Sequence, residues 1–103
     1  MSILEKKIRK AARDTGYDIY TIKKPVDDSI FLIRQIDSIC EVIHIWSLFG
    51  VIKIQKARFD MGTVELEPKE VIARFYIDDS SKTIFNCGES VDATICNLAR
   101  LLK

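Results

Sequence analysis

Histidine, glycine, proline and cysteine are all scarce in this chain, and each scarcity removes a class of chemistry. His44 is the one histidine, set between Ile43 and Ile45 and near Cys40 and Trp46. A zinc site would therefore need ligands gathered from across the fold without the spacing such sites use. A Cys/His nucleophilic pair would need an orienting acid and an oxyanion donor, and no local signature supplies them. His44 reads as a structural or surface residue. The four glycines, Gly16, Gly50, Gly62 and Gly88, stand isolated at element ends, so no loop cradles a phosphate. Cys40, Cys87 and Cys96 make an odd count without Cys-x-x-Cys spacing, which predicts a reduced, intracellular protein whose thiols serve as small core side chains. Asp27-Asp28 and Asp78-Asp79-Ser80-Ser81 lack the alternating oxygens and glycine of a calcium loop and read as solvated turns. No catalytic, cofactor-binding or metal-ligating residue is expected, and an enzyme is not expected.

Long uncharged runs are missing too. Nothing approaches the roughly 18 apolar residues of a membrane span, and the opening MSILEKKIRKAARD carries charge where a signal peptide needs its apolar region. The expected location is the cytoplasm, with no membrane and no small-molecule substrate in view.

What is present is globular. Hydrophobic residues make up 48% of the chain and charged ones 30%, so residues 1–103 are expected to form a single domain around one core. The net charge of +1 conceals two poles. Met1–Lys24 holds seven basic residues against three acidic ones, and Asp60–Asp79 holds six acids against Lys69 and Arg74. Such a molecule can attract copies of itself or a polar partner.

The most apolar stretch, Ile30 to Gly50, organises the rest, and two signals within it disagree. At about 100° per residue, Arg34, Gln35, Asp37, Ser38, Glu41 and His44 fall on one half of a helical wheel, which favours a helix. Composition favours strands, because six isoleucines, a valine, two phenylalanines and a tryptophan occur without alanine or lysine. Asp37-Ser38 reads as a turn and Gly50 as punctuation, so strands are predicted at about 30–36, 40–48 and 51–59. The rival reading is one long buried helix ending at Gly50.

Elsewhere the signals are local. Ser2 and Glu5 resemble a capping box ahead of the stripe Leu4, Ile8, Ala11 and Ala12, predicting a helix over Ser2–Asp14 that Gly16 ends. A strand is predicted over Tyr17–Lys24, closed by Pro25. Asp60-Met61-Gly62 reads as a hairpin returning through the acidic edge Val64–Glu67, with Pro68 interrupting. Val71–Ile77 and Thr83–Cys87 read as paired strands. Ser90 caps a final helix with Val91, Ile95, Leu98, Ala99 and Leu102 on one stripe. The predicted fold is α+β: an antiparallel sheet of about five to seven strands with an N-terminal and a C-terminal helix.

The segment Cys87-Gly88-Glu89-Ser90-Val91-Asp92-Ala93-Thr94-Ile95-Cys96-Asn97-Leu98-Ala99 resembles the final strand-to-helix junction of small phage-encoded α/β sandwich proteins. HicB-like antitoxin domains have a similar Gly-[DE]-[ST] helix opening. The resemblance implies a small protein of viral or mobile-element type, working in the host cytoplasm if viral, and transfers no functional residue.

Two surfaces follow from the residues. Lys6, Lys7, Arg9, Lys10 and Arg13, joined by Lys23 and Lys24, could meet phosphates or an acidic partner, with Tyr17 and Tyr20 as neighbouring stacking groups. Ile43, Ile45, Trp46, Leu48 and Phe49 exceed what two helices can shelter and form the expected apolar interface. The function expected is a non-enzymatic, self-associating protein-interaction module, or more narrowly a phage-type inhibitor that occludes another protein. The alternative is a small nucleic-acid binder that uses the basic helix.

Overall fold

In the computed structural model, which describes residues 3–22, 29–77 and 83–103 and only the backbone of Leu48 and Thr83, the organising stretch folds as strands. β2 (Ser29–Ile36) turns at Asp37-Ser38 into β3 (Ile39–Leu48), and Phe49-Gly50 turns β3 into β4 (Val51–Asp60). Asp37 takes a φ of 55°, and Phe49 and Gly50 take 51° and 80°. Tight turns of this hand match the twist of paired strands, so β-branched composition prevails over the helical wheel. β1 (Asp18–Ile22) adds to the outer side of β2, and β5 (Thr83–Asn86) to that of β4, giving a five-stranded antiparallel sheet in sequence order.

Alternation along the strands divides the apolar residues between two faces. Leu32, Ile43, Ile45 and Ile54 point to one face, where α1 (Ile3–Ala12) and α3 (Val91–Leu101) cover them through Ile8, Ala12, Leu98 and Leu102. Phe31, Ile33, Cys40, Val42, Ala57 and Phe59 point to the other, beneath α2 (Pro68–Ile77). The fold is α+β with N- and C-terminal helices, as predicted, and one helix more.

That extra helix corrects the sequence reading, in which seven segments were expected as strands. Val71–Ile77 is helical, because Pro68 opens α2 at a position that needs no N–H donor. The Glu70 carboxylate accepts from the Glu67 backbone N–H at 3.2 Å, and the Val71 N–H donates to the Glu67 carbonyl at 3.0 Å. Val71 and Phe75, four residues apart, then face the sheet together. The hairpin expected after Asp60 does not return either. Asp60 accepts from the Gly62 N–H at 2.8 Å and the chain does turn, but it then runs toward the β2–β3 turn instead of back along β4: the Met61 N–H donates to the Ser38 carbonyl at 2.7 Å and Gln35 Nε2 to the Leu66 carbonyl at 3.2 Å. Residues 64–67 are left irregular and exposed to half-buried.

The final helix follows its capping signal. The Ser90 hydroxyl accepts from the Ala93 N–H at 3.1 Å, as an N-cap does. The expectations at Ser2, Lys23, Lys24, Pro25, Asp27-Asp28 and residues 78–82 lie outside the described residues. No helix among the described residues is long and apolar enough to cross a membrane.

Candidate interaction surface

Of the residues expected at an apolar interface, the structure leaves few on the surface. Ile43 and Ile45 are 0% and 1% exposed, sealed beneath α1 and α3. Their assignment to an interface is corrected: one face of the sheet has two helices over it, and α2, hidden in a segment of strand-like composition, covers the other. Trp46 is half-buried on the α2 face. The side chain of Leu48 lies outside the described residues. Of the four whose side chains are described, Phe49 alone is fully presented to solvent, at 93% exposure.

His44 sits inside an aromatic stack. Its ring lies parallel to Phe31, its cross-strand partner, at 4.2 Å and to Trp46 at 4.6 Å, while Phe75 and Tyr76 of α2 meet it edge-on at 5.5 and 5.9 Å. Such offset and edge contacts stabilise packing well beyond simple area burial. Cys40 is fully buried on the same face, and burial pushes its thiol up to about 11, Arg74 opposing and Glu41 adding to the rise. A thiol held protonated at neutral pH is a poor nucleophile. Among the described residues, no three His, Cys, Asp or Glu side chains gather as a metal site would require.

The basic residues of α1 and the turn after it are exposed, as their pattern predicts: Lys6, Lys7, Arg9, Lys10 and Arg13. Lys7 meets Asp92 of α3 at 3.3 Å, and Arg9 lies 3.7 Å from Glu5. The aromatic companions expected beside them are elsewhere. Tyr17 is buried in the core under the Arg34 guanidinium, 4.3 Å from its ring centre, and Tyr20 packs against the α2 face. Burial pushes the Tyr17 hydroxyl up to about 12, with the nearby Glu41 carboxylate adding to the rise and Arg34 opposing it.

Sequence reasoning missed the most organised charged group. Arg34, Glu41 and Arg58 stand in one cross-strand row on the α1/α3 face. Glu41 meets Arg34 at 2.8 Å, Lys56 at 3.2 Å and Arg58 at 3.8 Å. Arg34 also donates to the Thr15 carbonyl just past α1 at 2.9 Å, and Lys56 to the Leu101 carbonyl at the end of α3 at 2.6 Å. The turn past α1 and the end of α3 thus each place a carbonyl on one cation of this group, Arg34 and Lys56 respectively. Gly16, at φ 86°, lets the chain pass Arg34, where a Cβ would lie only 3.3 Å from the Arg34 Cδ. The signal available in the sequence was the charge at alternate positions of apolar strands, Arg34 in β2, Glu41 in β3 and Lys56 and Arg58 in β4.

The remaining surface feature is apolar. Ile84 of β5 stands opposite Gln55, which stands opposite His44, so Ile84 and Tyr76 share the α2 face. Ile84 is 61% exposed and Ile77, the last residue of α2, is 82% exposed. With the half-buried Trp46, they leave apolar groups exposed on the α2 face, and Phe49 is exposed at the β3–β4 turn. Comparison with protein-family models, curated proteins and solved structures finds no match.

Proposed function

We propose that this domain is a protein-interaction module that works by covering a partner's surface rather than by chemistry. Phe49 carries the reading. It occupies a left-handed backbone position, φ 51°, in a two-residue turn that Asn, Asp or Gly would suit better. That position costs an L residue with a bulky side chain about 1 kcal/mol or more, and the exposed ring returns no burial. A residue that weakens the fold and stays exposed fits a contact surface, and Tyr76, Ile77 and Ile84 are further exposed apolar groups available to a partner. A second copy meeting this face across a two-fold axis is the simplest partner. A host protein occluded by it is the narrower reading, supported by the resemblance of Cys87–Ala99 to phage-encoded proteins. The free thiols of Cys40, Cys87 and Cys96 fit a reducing cytoplasm.

The expected result for Phe49→Asn is a fold as stable as the wild type or about 1 kcal/mol more so, since Asn tolerates this turn, together with loss of the association that persists at high salt. Thermal melts and size-exclusion chromatography with light scattering read the two effects. A variant that associates like the wild type, or one that loses stability, overturns the assignment.

The exposure of Lys6, Lys10 and Arg13 supports a second reading, binding of nucleic acid by α1. It lacks the tyrosine stacking groups first expected beside the helix. Under this reading, affinity for a generic duplex or single strand falls steeply between low and moderate salt and is lost in Lys6→Glu with Lys10→Glu. Binding that is absent, or indifferent to salt, ends it.

A further inference from the structure

α1 and α3 lie side by side on the sheet and leave an open groove of about 410 Å³ lined by Lys7, Lys10, Ala11 and Ile95. Its floor is apolar and its rim cationic, with Lys6 and Arg13 exposed along the same helix and the turn after it. Across the sheet, the chain leaving β4 displays the opposite combination. Val64 is 60% exposed, beside the exposed Glu65 and close to Glu67 and Glu70 at the start of α2. This segment is held in shape by the turn bond from the Val64 N–H to the Met61 carbonyl at 3.2 Å and by Gln35 Nε2 donating to the Leu66 carbonyl at 3.2 Å. One molecule therefore carries an apolar groove edged with lysines on one face and an apolar side chain flanked by carboxylates on the other.

We propose that the α1–α3 groove receives the Val64–Glu67 segment of a second copy of this chain, Val64 on Ala11 and Ile95, and Glu65 and Glu67 against Lys10 and Lys6. The contact joins unlike surfaces, so it is head-to-tail: it leaves one groove and one acidic segment unfilled in every dimer and grows until a ring closes or a filament forms. It is independent of the Phe49 surface and differs from it in kind. Association that depends on opposed charges weakens as salt screens them, whereas association through apolar groups does not.

The test is made in the Phe49→Asn chain, so that association through the turn is not counted. Light scattering and sedimentation at low salt are expected to show a mass that rises with protein concentration, and raising the salt should weaken the association roughly tenfold or more. Lys6→Glu with Lys10→Glu, and separately Glu65→Lys with Glu67→Lys, each abolish it. All four positions are exposed, and thermal melts confirm that the variants remain folded. An equimolar mixture of the two charge-reversed variants associates again, because each groove then meets a segment of opposite sign. A monomer at every concentration in low salt, association that survives either reversal, or a mixture that stays monomeric overturns the proposal.

Discussion

Glu41→Ala is expected to destabilise the fold by about 3–5 kcal/mol, the largest effect of any single change to a charged side chain here. The Glu41 side chain is only 10% exposed, and the two cations closest to it, Arg34 and Lys56, are each 15% exposed. Removing the carboxylate leaves two half-desolvated positive charges facing each other without compensation. It also frees the side chains that hold the Thr15 and Leu101 carbonyls, so the C-terminal ends of α1 and α3 lose their anchors together. Arg58→Ala is the contrast, because Arg58 is mostly exposed and such a partner contributes at most about 1 kcal/mol. Urea titrations followed by circular dichroism separate the two.

The same group sets how the protein responds to acid. Burial alone would raise the Glu41 carboxyl, but hydrogen bonds from Arg34 and Lys56, and their charges, outweigh it and hold the group below its ordinary value of 4.5. A carboxyl whose pKa is lower folded than unfolded lends stability that is complete above the unfolded value and disappears as pH falls through the folded one. Stability of the wild type is therefore expected to fall as pH drops below about 4.5, and Glu41→Gln should flatten that part of the profile. Equal acid sensitivity in the two proteins would show that other carboxyls govern it.

Phe75→Ala is expected to cost about 3–5 kcal/mol, through lost burial and the cavity it leaves. Phe75 is 1% exposed and meets Phe31 and His44 edge-on, at 5.8 and 5.5 Å between ring centres. It is the main side chain through which α2 grips the sheet, alongside Val71. Loss should be local before it is global: amides of α2 lose protection from hydrogen exchange while those of β2, β3 and β4 keep theirs. Unchanged protection over α2, or a cost below about 1 kcal/mol, would mean that the aromatic stack holds the face without it.

The central strands were legible because composition and turn chemistry agree there. Isoleucine-rich runs interrupted by Asp37-Ser38 and by Gly50 leave little choice once a meander is assumed, and the two terminal helices announce themselves by their stripes and, for α3, by the Ser90 cap. α2 was not legible. Val71, Ile72, Phe75, Tyr76 and Ile77 are residues that a sheet would also take, and Pro68 reads as an interruption unless it is placed at the first turn of a helix with Glu70 reaching back. That one misreading propagated. Read as a strand, α2 leaves the domain with too few helices for both faces of the sheet, whereas α2 on one face leaves α1 and α3 to seal Ile43 and Ile45 on the other. Phe49 stays exposed because no layer reaches a tight turn at the end of a hairpin. The Glu41 group stayed hidden because its members come from three strands and the ends of two helices, and only register brings them into one row.

The insertion of α2 between β4 and β5 also bears on the order in which the molecule assembles. β2, β3 and β4 pair through turns of two residues, contacts that form with little loss of chain freedom, whereas Lys56 finds Thr83 only after the intervening helix has been looped out. The α1–α3 contact, with Lys7 and Asp92 separated by 85 positions, spans a longer loop still. The central hairpins are thus the natural nucleus, and the layer that carries the lysine-edged groove is completed last, when β5 and α3 close over it.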